Sequence, residues 1–136
     1  MKKIVMSMIS VGVLILSGCS FLEETNDSVN YVSEATDYIN GLSNFVEESA
    51  NLEGEALEER VLTLQDNVQD FINLEAPGFA EDIHQELETK SEALLDATNG
   101  IIENGEVAID QLENSQIYQT IENITSLMNQ IENLGF

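Results

Sequence analysis

The sequence predicts an all-α fold, a small antiparallel bundle of about four amphipathic helices behind a cleaved N-terminal signal peptide. Three observations carry this. Apolar residues recur at steps of four and three in four separate stretches, and no stretch alternates polar and apolar residues with the period of two that a half-buried strand requires. The first residues combine a basic start with a short apolar run and small residues. The 136 residues suffice for one small domain, and 43% apolar composition is that of a globular chain.

The N-terminus reads Met1-Lys2-Lys3, then a largely apolar run of 13 residues from Ile4 to Leu16, then Ser17-Gly18-Cys19. A spanning helix needs about 20 apolar residues, so this run is too short for a permanent anchor and suits a signal peptide that is removed. Leu16-Ser17-Gly18-Cys19 resembles the lipobox of bacterial lipoproteins, in which the cysteine takes a diacylglyceryl group and becomes the mature N-terminus. The expected organisation is a lipoprotein signal peptide over 1–18, a lipidated tether over 19–27 and an acidic helical bundle over 28–136. Cys19 is then the lipidation site, and the alternatives are a secreted chain with a free thiol or a catalytic cysteine. The last lacks a His/Asp partner nearby in sequence.

The first helix follows the tether. Tyr31, Ala35, Tyr38, Leu42 and Phe45 step by 4, 3, 4 and 3, and Val32, Ile39 and Val46 run beside them at spacing 7, which predicts a helix of about 20 residues. Asn40-Gly41 is a turn signal within it, but the stripe continues in phase, so one helix is kept at a glycine cost of about 1 kcal/mol. Leu57, Val61, Leu64, Val68 and Phe71 repeat the pattern and predict a second helix over about 55–74. Glu55, Glu58 and Glu59 fall in its first turns, where carboxylates interact well with the helix dipole.

Ala76-Pro77-Gly78 breaks the second stripe, with Pro77 suited to the connection or to the first turn of the next helix. Ala80, Ile83, Leu87, Leu94, Ala97 and Ile101, widened by Leu95 and Ile102, then predict a third helix ending near Glu103, or earlier at Asn99-Gly100. Asn104-Gly105 signals a turn, and 107–112 is a short apolar-rich segment of open state. Ile117, Ile121, Ile124, Met128 and Ile131 predict a fourth helix from an N-cap at Ser115 to about Leu134. Short connections between four such helices give an antiparallel bundle; an oligomeric coiled coil is the alternative.

Charge excludes several functions. Asp and Glu number 26 against 4 Lys and Arg, a net charge of −22, and without residues 1–18 only Arg60 and Lys90 remain basic, which makes it −24. Such a surface repels the phosphate backbone, so nucleic acid is not a partner. One cysteine and one histidine cannot make a zinc site, and no D-x-[DN]-x-[DN]-G loop is present for calcium. No metal or cofactor is therefore expected. The carboxylates at Glu47-Glu48, between Glu53 and Glu59, and at Glu81-Asp82 read as solvated faces. His84, with Glu81 and Glu88 three and four residues away, could serve as an acid-base group or pH sensor, but a boundary histidine on an acidic helix explains it far better. No serine stands where a triad would need it, and catalysis has no positive support. The row Tyr31, Tyr38 and Phe45 is explained by core packing better than by an aromatic cleft.

The stretch NDSVNYVSEATDYIN of residues 26–40, the LEAP of 74–77 and the LENSQIYQT of 112–120 accompany the lipobox. With them the chain resembles the small, uncharacterised helical lipoproteins of Gram-positive, Bacillus-type bacteria. That resemblance implies anchoring at the extracytoplasmic face of the cell membrane through Cys19 and supplies no activity. The expected function is a membrane-anchored, non-enzymatic lipoprotein acting through protein or envelope interactions. The alternative is a binding module for a cationic ligand (a basic protein segment, a peptide or a polyamine) or for a divalent metal ion. An exposed apolar strip would favour the first, a groove lined by several carboxylates the second, and His84 inside an apolar pocket a hydrolase.

Overall fold

The structure, a computed structural model, describes the backbone of residues 2–103 and 109–135 and the side chains of 26–102, 110 and 112–134. Every regular element among them is helical: α1 Lys2–Ser49, α2 Gly54–Ile72, a 3₁₀ turn Gly78–Ala80, α3 Glu81–Glu103, α4 Ile109–Glu113, α5 Gln116–Thr125, α6 Met128–Glu132 and a closing 3₁₀ turn Asn133–Gly135. α2 packs on α1 and α3, and the arm formed by α5 and α6 packs back on α3 and α1. This is the small antiparallel bundle of helices expected, with α1 and α3 parallel at opposite corners.

The stripes bury as their spacing requires. Tyr31, Ala35, Tyr38, Leu42 and Phe45 of α1 and Leu57, Val61, Leu64, Val68 and Phe71 of α2 are all in the core, with Ile39 beside them and Val32 and Val46 half-buried. α1 extends the expected helix back to Lys2 and passes unbroken through Asn40-Gly41. Likewise Asn99-Gly100 lies inside α3 and does not end it. In both places flanking apolar residues pack on the bundle, and that burial outweighs about 1 kcal/mol of glycine propensity. Asn104-Gly105 and residues 107–108 lie outside the described residues, while 109–113 is helical.

Local chemistry sets the ends. Gly54 opens α2 at φ +59°, a left-handed conformation that glycine adopts without a Cβ penalty. Pro77 sits in the connection, and its carbonyl accepts from the Ala80 N–H at 2.8 Å to form the 3₁₀ turn that leads into α3. Ser115 caps α5 by accepting the Ile117 N–H at 3.1 Å.

The fourth helix departs from expectation. It breaks at Ser126-Leu127 into α5 and α6 instead of running to Leu134, and Leu127 takes the core position expected of Met128, which is only half-buried. Hydroxyl bonds to the backbone accompany the break: the Thr125 hydroxyl donates to the Ile121 carbonyl at 2.8 Å and the Ser126 hydroxyl to the Asn123 carbonyl at 2.7 Å. The Leu127 N–H then closes a tight bond to Ile124 at 3.0 Å, which shifts the stripe by one residue.

Two ion pairs are found among the described residues, Arg60 to Glu48 at 2.7 Å and Lys90 to Glu86 at 3.7 Å. Neither is deeply buried, and such pairs contribute up to about 1 kcal/mol each. They leave most of the negative charge uncompensated, and compactness raises its self-repulsion. The melting temperature of residues 20–136 is therefore expected to rise with NaCl. A melting temperature unchanged or lower in salt would contradict this, and a larger rise with calcium at matched ionic strength would indicate a specific cation site.

Candidate functional site

The heptad spacing of α1 points Tyr31 and Tyr38 inward and leaves Glu34 and Asp37 at the edge facing α2. α2 runs the other way and brings Asp70, Phe71 and Asn67 opposite them. Phe71 stacks on Tyr38 with ring centroids 4.1 Å apart and planes 5° from parallel. Tyr38, Leu42, Phe71 and Leu74 floor a groove of about 330 Å³ whose rim carries Glu34, Asp37 and Asp70. Gly41 lines it too, and a side chain added there would meet nothing within 4 Å, so the glycine contributes open space. A second cavity of about 350 Å³ continues the groove toward the start of the bundle, over Tyr31, between Asp27 and Glu34 of α1 and Glu75, Ala76 and Pro77 of the connection. Carboxylates rimming an apolar floor form a surface that suits a cation carrying some apolar body.

Behind this floor lies a row of polar side chains that a count of apolar residues passes over. His84, Ser91 and Thr98 are seven residues apart on α3, and all three are buried. The Tyr31 hydroxyl lies 3.0 Å from His84 Nδ1 and the Tyr38 hydroxyl 2.7 Å from Ser91 Oγ. Both pairs span 53 residues, as parallel diagonal helices in one register require. The third rung turns to α2, where Gln65 Nε2 donates to Thr98 Oγ1 at 3.1 Å and to Asn99 at 2.7 Å. Ser49 and Tyr118 pair at 2.7 Å between α1 and α5. These bonds satisfy groups whose burial would otherwise be unfavourable. The signal was present in the sequence: Ala80, His84, Leu87, Ser91, Leu94, Thr98 and Ile101 step by 4 and 3 throughout once polar residues are admitted.

His84 is thus a core residue and not a boundary one. Tyr31 packs edge-on to its ring at 5.6 Å, and Phe71 lies tilted against it at 5.3 Å. Burial holds its pKa below the ordinary imidazole value, against opposing contributions from Glu88 and a hydrogen bond to the Leu74 carbonyl. Burial likewise pushes the Tyr31 hydroxyl up to about 12, and Tyr38 to about 12 against a smaller lowering by Ser91, so both stay protonated. Ser91 Oγ is bonded to Tyr38 and not to His84. Among the described residues no three His, Cys, Asp or Glu side chains converge as a metal site would require. Cys19 lies on α1 outside the residues whose side chains are described.

A model of a protein family of unknown function, DUF6376, matches residues 31–134, the span that holds the bundle, the groove and the ladder. The chain belongs to this family. It is also 33% identical, over 99% of both chains, to an uncharacterised lipoprotein of Bacillus subtilis strain 168, YybP. The resemblance to small, uncharacterised lipoproteins of Bacillus-type bacteria thus holds over nearly the whole chain. No solved structure matches it.

Proposed function

We propose that this DUF6376 chain is a lipoprotein cut before Cys19, acylated there, and held on the extracytoplasmic face of the cell membrane, where the bundle acts without catalysis as a binding module for a cationic peptide segment of an envelope protein. The LSGC of residues 16–19 and the lipoprotein relative of equal extent support the anchor. Residues 1–18 are then the leader and 19–27 the link to the bundle.

The observation that carries the binding role is the acid-rimmed groove between α1 and α2. From Asp27 to Leu42 it follows α1 for about 22 Å at 1.5 Å per residue, room for an extended peptide of about six or seven residues. Its carboxylates are strung along that length, which suits a row of Lys or Arg side chains better than a single ion. The large exposed apolar residues Val29, Leu62 and Phe79 fall on three different elements. The floor, in contrast, lines the groove with the edges of the stacked Tyr38 and Phe71 rings and with Leu42 and Leu74, an apolar base for the stems of Lys or Arg side chains.

A fluorescent Lys/Arg-rich heptapeptide is expected to bind the protein in low salt and to weaken as NaCl rises. Replacing Glu34→Gln, Asp37→Asn and Asp70→Asn together is expected to weaken it about tenfold, from three pairs of up to about 1 kcal/mol each. The triple change Glu55→Gln, Glu58→Gln, Glu59→Gln removes equal charge from exposed positions elsewhere and should leave most of the affinity. Equal loss in both variants, read by fluorescence anisotropy, would mean that the net charge attracts the peptide and the groove does not.

A further inference from the structure

The ladder has one titratable rung, and it stands at one end of the bundle. Ser91 and Thr98 perform the same bridging with side chains that never ionise, whereas Tyr31 is bridged by His84, the one histidine in the chain. At this end α1 enters the bundle 12 residues after Cys19, α2 finishes at Ile72, and α3 begins at Glu81. The closing turn also docks there, with the Ser28 hydroxyl donating to the Leu134 carbonyl at 3.3 Å. The end of α2 and the start of α3 meet here, and helix ends open at lower free energy than helix centres, so a bond placed here governs a local unit without unfolding the whole domain.

We infer that His84 is a proton-operated latch: neutral, it ties α1 to α3 through Tyr31, and protonated, it releases the end of the bundle that follows Cys19. A neutral imidazole has one N–H and one acceptor nitrogen. When the proton sits on Nε2, Nδ1 accepts from the Tyr31 hydroxyl 3.0 Å away. Adding a proton to Nδ1 turns that acceptor into a donor. The Tyr31 hydroxyl must then rotate to accept, its own proton loses its partner, and a full charge sits in a pocket only 8% exposed between two aromatic rings.

The neighbouring groups set the direction of the change. α1 presents Tyr31, which stays neutral; the connection after α2 presents the Leu74 carbonyl; α3 itself carries Glu81 and Glu88, of which Glu88 partly offsets the burial. On the far side of Tyr31, Asp27, Glu34 and Glu75 line the outer cavity. An imidazolium that moved outward past Tyr31 would exchange an apolar pocket for water and three carboxylates. Two arrangements follow, inward when neutral and outward when charged. Because the folded form favours the neutral ring, the latch is fully engaged above the unfolded imidazole value near 6.5 and weakens as pH falls toward the folded one.

Hydrogen exchange of the full-length protein in detergent micelles between pH 8 and 5, with wild type compared with His84→Gln at each pH, tests this. The expected result is a loss of protection in wild type relative to the variant over 28–38 and 80–91, by up to tenfold per pH unit for a single linked proton, with 116–125 unchanged. Wild type and variant tracking each other would overturn the latch, as would a loss spread evenly over all helices. A variant that does not fold leaves the NMR titration of wild type: Tyr31 and Glu34 signals are expected to move with the His84 midpoint, and Tyr31 signals that ignore it would overturn the proposal.

Discussion

Phe45→Ala is expected to destabilise the bundle by about 3–5 kcal/mol. Phe45 is fully buried near the end of α1, and the Arg60 guanidinium lies 5.5 Å from its ring centroid while bonding Glu48 at its other side. Truncation removes the largest apolar group of the α1 stripe and leaves a cavity that rigid helices on every side cannot collapse to fill. It also takes the aromatic face from beneath Arg60, one of the two basic residues after Cys19. A domain of this size has about 5–15 kcal/mol in total, so the variant should lose a large part of it. Leu62→Ala, at a position 45% exposed, is expected to change stability by less than about 1 kcal/mol. Urea denaturation followed by circular dichroism at fixed salt gives both values. A Phe45→Ala effect no larger than that of Leu62→Ala would contradict the packing described above.

Phe45 also shows which parts of the structure the sequence discloses. Its position follows from spacing alone, because a helix in a bundle needs an apolar face and that need recurs every 3.5 residues or so. All five α2 stripe residues were legible for the same reason. The ladder was not, because Ser91 and Thr98 look like surface residues until their partners are known, and those partners lie 53 residues away or on another helix. The α5–α6 break has no local mark, because the hydroxyl bonds that Thr125 and Ser126 make back to the chain also occur at Thr63 and Thr89 inside unbroken helices. The groove was hidden differently: Glu34, Asp37 and Asp70 are indistinguishable from the other acids until antiparallel packing sets α2 beside α1. Only Cys19 was marked by a motif, and the lipidation proposed there is a matter of processing, which the packing of the bundle does not report.

In cells, Cys19→Ala is expected to move the protein from a carbonate-washed membrane pellet to the soluble fraction, or to leave it unprocessed with residues 1–18 attached. Each acyl chain contributes about 0.8 kcal/mol per buried methylene, and two chains hold stably where one binds marginally. Among the described residues no helix is long and apolar enough to cross a membrane, and the mature chain at −24 is repelled by anionic lipid headgroups. The lipid is then the dominant attraction, and removing its attachment point should change localisation almost completely while leaving the bundle of 28–136 folded. Mass spectrometry of the N-terminal peptide decides the mechanism: wild type should yield a peptide beginning at Cys19 with a diacylglyceryl addition. A Cys19→Ala protein that stays in the pellet with the same mature N-terminus would show that something other than acylation holds the chain. In that event partners recovered by crosslinking from native membranes would be candidates for the anchor itself, and the groove between α1 and α2 would be the first surface on which to place them.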